Sequence, residues 1–164
     1  GITSVHENCM NYGGMSWKHT LELIGAVPGM KLVFDTCNPV FNHDHSRDDK
    51  PWQDPWEFYQ KVKEHISYVH VKDGLNPSPE TGNQEVYTYP GEGQGCVKEI
   101  LQDLMEIGYE GGISIEPHLA AVFHDADSQN HTDEDPKDIY IRYGQKLMEI
   151  LSSIGYEDSP YQPL

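Results

Sequence analysis

Four short runs of apolar and β-branched residues recur along the chain, each closing on a carboxylate or an imidazole: residues 2–7 (ITSVHE), 31–35 (KLVFD), 66–70 (ISYVH) and 112–116 (GISIE). Their length and bounding polar, Gly or Pro residues predict buried strands. The segments between them carry helical spacing. Residues 17–24 (WKHTLELI) form a short amphipathic run that Pro28-Gly29 ends. Residues 55–65 start on Pro55, which suits the first helical position, with Asp54 as N-cap. Residues 96–107 place Val97, Ile100, Leu101, Leu104 and Met105 at steps of three and four before Gly108 stops the helix. A last helix spans 138–154. Loops are expected at 8–16, 36–54, 73–95 and 119–136, and the tail 155–164, with two prolines, is expected to wrap the surface.

Strand and helix alternating four times predict an α/β fold of parallel βα units, with the strands adjacent in chain order and the helices on one face. A doubly wound sheet is the structural alternative. A closed eight-stranded barrel takes about 250 residues, so four units make a half-barrel, expected over residues 1–154 with 155–164 as its tail. The chain opens on Gly1 rather than Met, inside a strand-like run, which leads us to expect an upstream portion. Four βα units alone leave two open sheet edges and an inner face on which Val33 and Val69, or their neighbours, would meet water. The expected partner is therefore a polypeptide carrying the other four strands, or a second copy of this chain.

In a parallel barrel the carboxyl ends of the strands converge on one face. Glu7, Asp35, His70 and Glu116 would meet there, supplying three hard oxygen ligands and one imidazole. That set suits one divalent ion, Mn²⁺ foremost, with Zn²⁺, Co²⁺ or Mg²⁺ as alternatives. His118 lies two residues past Glu116 and Lys72 two past His70, so each shares its neighbour's side of an extended backbone. Both are candidates for contacting a substrate. His6 should point away from Glu7 into packing, and His43 and His45 read as solvated loop residues. Trp52 and Trp56 read as packing at a helix entry. Cys37 has no base partner in sequence and is not proposed as a nucleophile. No Gly-x-Gly-x-x-Gly turn follows the first strand, and Gly91-Glu92-Gly93-Gln94-Gly95 enters a helix without the P-loop lysine.

The net charge of −16, from 27 acidic and 11 basic residues, repels phosphate backbones and argues against a nucleic-acid partner. Three cysteines without CxxC spacing read as packing residues in a reducing compartment, so the cytoplasm is the expected location. No apolar run approaches the ~20 residues that cross a bilayer, and no membrane partner is expected.

Five motifs, His6-Glu7-Asn8, FDTCN at 34–38, YVHVKDG at 68–74, PGEGQG at 90–95 and SIEPH at 114–118, together resemble the xylose isomerase-like TIM-barrel superfamily, in its order, as strands five to eight. The superfamily includes sugar isomerases, epimerases, inosose dehydratases and endonuclease IV. The resemblance implies a single-metal site at Glu7, Asp35, His70 and Glu116, with Glu7 and Glu116 also acting as acid and base. Asn38, Lys72 and His118 are the candidate substrate contacts. The implied function is isomerisation or epimerisation of a sugar or polyol through an enediolate. The alternatives are a lyase acting on a keto-inositol or 3-oxo-glycoside, or a non-catalytic half-barrel subunit. Endonuclease IV carries a histidine where this chain has Asn38, and an Asp-x-His pair where it reads Asp73-Gly74-Leu75, which argues against DNA repair.

Overall fold

The computed structural model describes residues 2–119 and 135–157. The acidic loop expected at 119–136 and the end of the tail therefore lie mostly outside the described residues. The element order is β1 (Val5–Glu7), α1 (Trp17–Ala26), β2 (Lys31–Asp35), α2 (Asn38–Phe41), α3 (Pro55–Val62), β3 (Ile66–Val71), β4 (Asp73–Leu75), β5 (Val86–Thr88), α4 (Val97–Glu106), β6 (Gly112–Ile115) and α5 (Pro136–Ser153), with 3-10 turns at Tyr12–Gly14 and Lys63–His65. Strands β1, β2, β3 and β6 form one sheet in that order, and every pairing is parallel. This is the α/β half-barrel expected from the sequence.

Helix starts follow their capping residues. Ser16 accepts from the backbone N–H groups of Lys18 and His19 at the start of α1, and Asp54 accepts from Glu57 N–H ahead of Pro55 in α3. Asp135 does the same for α5, so that helix begins at Pro136, before the expected 138. Gly108 ends α4 at φ +75°, and the Tyr109 N–H returns to the Leu104 carbonyl, closing the turn as a left-handed glycine cap does.

Alternation divides the sheet into two faces. Leu32, Phe34, Val69 and Val71 point to the helix layer, where they join Phe58, Tyr59, Val62, Ile100, Leu101, Leu104, Leu147 and Leu151 in one core. The opposite face corresponds to the barrel interior. There Val5 is 51% exposed and Tyr68 37%. The inner face thus meets water not at Val33 or Val69 themselves but at Val5 and at Tyr68, the neighbour of Val69. Val69 precedes His70 and so faces the helices, fully buried, while Val33 is buried between Glu7 and Tyr68, its partners in the ladder.

Two expected loops hold structure. The segment 36–54 contains α2 and an antiparallel bridge between His43 and Trp52, whose rings stack 3.8 Å apart. The segment 73–95 contains the antiparallel hairpin β4–β5, whose Tyr87 packs on Cys37, Val40 and Phe41. Both loops sit at the carboxyl ends of the strands and wall the site.

Candidate metal centre

The register sets the site. Glu7 pairs with Val33, Asp35 with His70, and His70 with Ser114, so the four strand-end side chains step across the sheet on its inner face. Glu7, Asp35, His70 and Glu116 each offer a ligand atom, and these atoms lie within 4.8 Å of one another. His70 Nδ1 stands between the two glutamates, 3.4 Å from Glu7 Oε1 and 3.5 Å from Glu116 Oε2.

Asp35 is fully buried and unequally satisfied. Its Oδ1 accepts from the Cys37 and Asn38 N–H groups at 2.9 and 2.7 Å. Its Oδ2 has no well-formed hydrogen bond, and neither has His70 Nδ1. Asp35 Oδ2 faces only the Lys72 ammonium and His70 Nδ1 only the two glutamates. Two buried atoms so placed beside further carboxylates fit a divalent ion, which would take both at once. The oxygen-rich donor set favours a hard or borderline metal.

The surrounding groups fix these ligands. Asn8, fully buried, clamps the Asp35 backbone: its Nδ2 donates to the Asp35 carbonyl at 3.0 Å and its Oδ1 accepts from the Asp35 N–H at 2.7 Å. Asn38 Nδ2 reaches Glu7 Oε1 at 3.4 Å. Lys72, 5% exposed, places Nζ 2.9 Å from Asp35 Oδ2 and 3.4 Å from Glu116 Oε2. His118 Nδ1 lies 3.1 Å from the Glu116 carbonyl, and its ring stacks on Tyr87 at 5.0 Å.

Charge crowding shifts the titrations. Burial pushes Asp35 up to about 7; Lys72 pulls against it and Glu116 adds to the rise. The Glu116 and Glu7 carboxylates raise His70 to about 10. Desolvation works to raise Glu116, yet His70, Asp35 and Lys72 together hold it well below the usual carboxylate range. Burial likewise opposes the Lys72 charge, but Asp35 and Glu116 raise its pKa. Burial pushes the Cys37 thiol well up, which suits packing and not a thiolate.

The structure therefore brings together all four expected ligands, with Asn38, Lys72 and His118 around them. His6 lies apart, its Nε2 buried against Gly13. Asn8, Thr36 and Asp73 were not singled out from sequence. Thr36 Oγ1 donates to the Lys72 carbonyl at 2.6 Å and accepts from the Lys72 N–H at 3.1 Å. The Asp73 carboxylate accepts from the N–H groups of Gly74, Gly91, Gly93 and Gly95 at 2.8–3.0 Å. The glycine-rich run 90–95 is thus an anion cradle whose anion is the chain's own carboxylate.

A parallel βα sheet carrying a metal-competent carboxylate and imidazole cluster at its strand ends defines the class. The model of the xylose isomerase-like TIM barrel family matches residues 1–141, and the chain belongs to that family. Among solved structures, a xylose isomerase-like TIM barrel protein from Mycobacterium smegmatis in complex with magnesium superposes with a TM-score of 0.65 at 20% identity, covering 94% of this chain and 45% of that one. A xylose isomerase domain protein from Planctomyces limnophilus gives 0.61 at 22% identity, over 92% of this chain and 46% of that one. The probable 3-DHS dehydratase AsbF, involved in petrobactin synthesis, from Bacillus anthracis gives 0.58 at 19% identity, over 90% and 49%. At these identities the likeness shows the fold, and the chain spans less than half the length of each neighbour. No curated protein sequence matches it. Among the described residues, no helix is long and apolar enough to cross a membrane.

Proposed function

We propose that Glu7, Asp35, His70 and Glu116 hold one divalent metal ion, and that the site moves a proton at the carbon next to a carbonyl of a sugar or polyol, in an isomerisation or epimerisation. The observation that carries the reading is the convergence of the four ligand atoms within 4.8 Å, with Asp35 Oδ2 and His70 Nδ1 buried and without a well-formed hydrogen bond. A bound divalent ion would polarise the carbonyl and stabilise the charge that develops as the neighbouring proton leaves. Glu7 ends β1 and Glu116 follows β6, the two outer strands, so their carboxylates face the centre from opposite sides. One removes a proton from a carbon lying between them and the other returns one. Asn38, His118 and Lys72 are the proposed contacts for substrate hydroxyls. The edges of β1 and β6 have no strand partner among the described residues, and Val5 and Tyr68 are exposed on the sheet's inner face. That arrangement supports closure of the barrel by four further strands.

The test is proton NMR of the Mg²⁺-loaded protein in D₂O with a panel of keto-sugars and keto-inositols. Deuterium entering beside the carbonyl, in a product of unchanged formula, is the expected result. Loss of water identifies a lyase, the second reading, which the fold likeness to a dehydratase supports. Absence of any exchange across the panel, with metal bound, overturns the catalytic reading.

A further inference from the structure

The metal-competent cluster already contains a cation. Lys72 Nζ lies 2.9 Å from Asp35 Oδ2, on the most buried ligand, and 3.4 Å from Glu116 Oε2. The lysine side chain is only 6% exposed, so its ammonium cannot be dispersed into water as a surface lysine's is. Its backbone is pinned on both sides. Thr36 Oγ1 bonds both the N–H and the carbonyl of Lys72, and the next residue, Asp73, is locked by four glycine-loop N–H groups. This is a built position, aimed at two carboxylates that a metal would also need.

We propose that Lys72 is the resident counter-cation of the centre, and that a divalent ion binds in competition with it. The inference rests on the metal reading above and adds a regulatory element to it. Without metal, the ammonium offsets the buried Asp35 and the half-buried Glu116 and keeps the two carboxylates from repelling each other. A metal held by Asp35 Oδ2 would set a like charge across that oxygen from the ammonium, and the repulsion would push Nζ away. Lys72 therefore stabilises the metal-free protein and weakens metal affinity. Withdrawal also releases an ammonium beside the site at the moment the metal arrives.

The test compares wild type with Lys72→Met, which keeps the stem and removes the charge, and Lys72→Gln, which keeps a donor. Two readouts are taken: the Kd for Mn²⁺ from the free-ion electron paramagnetic resonance signal, and the melting temperature in chelator and at saturating Mn²⁺. Both variants should bind Mn²⁺ at least tenfold more tightly than wild type and melt lower in chelator, with the difference closing when metal is saturating. A variant that folds only with Mn²⁺ also supports the proposal, because the ion then replaces the ammonium. Equal or weaker Mn²⁺ binding by the variants, alongside clear binding by wild type, overturns this inference and leaves the metal reading standing. Failure of both variants to fold even at saturating Mn²⁺ overturns it as well. No binding by any of the three proteins overturns the metal reading and this inference with it.

Discussion

Asp35 and Asp73 are both buried aspartates at the carboxyl end of the sheet, yet the chain treats them oppositely. Asp73 is 1% exposed and saturated: its two oxygens accept four backbone N–H groups from Gly74 and the glycine run. Asp35 is equally buried but half satisfied, with two N–H groups on Oδ1 and Oδ2 left to face Lys72. Burial alone therefore does not mark a functional carboxylate. The kind of partner does: fixed backbone donors hold both oxygens of Asp73, whereas Asp35 Oδ2 is held only by a side-chain ammonium that a ligand could displace. Asp73 spends its charge on fixing a loop, and Asp35 leaves Oδ2 to a lysine that an ion from outside the chain could replace.

The comparison breaks if the two residues can be exchanged in effect. The isosteric change Asp35→Asn should weaken divalent-metal binding by more than about 100-fold, beyond what loss of an outer contact costs, while the fold survives in chelator; titration calorimetry with Mn²⁺ reads the first and circular dichroism the second. Asp73→Asn should do the reverse. It turns an amide NH₂ toward backbone donors, costs about 3 kcal/mol of stability in urea, and shifts Mn²⁺ affinity by under about tenfold. Equal loss of metal binding in both variants would dissolve the distinction. Gly93→Ala sharpens it, because the added Cβ would stand 2.3 Å from Asp73 Oδ1 and 2.5 Å from Gly74 N. The cradle must then shift, at about 1–3 kcal/mol, with metal binding again retained.

The sequence made one of these aspartates legible and hid the other. Asp35, like Glu7, His70 and Glu116, stands at the end of an apolar run, and strand alternation with parallel order was enough to bring all four to one face. The same alternation places Val69 among the helices, because it adjoins the inward His70. Asp73 depends on partners about twenty residues away in a run that carries no strand or helix period. The Asn8 clamp on Asp35 spans 27 residues and the Thr36 bonds to Lys72 span 36. Such long-range hydrogen bonds leave no local pattern. The glycine-rich run, lacking the P-loop lysine, gave only a weak sign of an anion site, and nothing local pointed to Asp73 as the carboxylate its N–H groups hold. The hairpin β4–β5 was hidden because Pro and Gly dominate the segment around two strands of three residues each.

The smallest expected effect concerns how the Asp35 site responds to pH in the metal-free protein. Burial lifts Asp35 to about 7 from the ~3.9 of an unfolded aspartate. The native state then holds that proton more tightly than the unfolded chain, so stability falls as pH rises from about 4 to 7. Glu116 and Glu7 lift His70 to about 10 from ~6.5, so its contribution is complete below about 6.5 and is lost as pH rises through 10. The ammonium of Lys72, facing Asp35 and Glu116, stays charged across this window and does not reverse the slope. Both groups act in one direction. Glu116, held low by His70, Asp35 and Lys72, opposes them only below its unfolded value of about 4.5. The melting temperature in chelator should therefore decline from about pH 5 to 10. Saturating metal should invert the lower half of that curve, since the ion needs Asp35 and His70 deprotonated and competes with protons for them. Asp73, saturated by N–H donors, should contribute no such inversion, so Asp73→Asn should keep the crossing of the two curves, while Asp35→Asn should leave only the smaller part due to His70. Parallel curves with and without metal in the unmodified protein would show that Oδ2 of Asp35 is not where the ion binds.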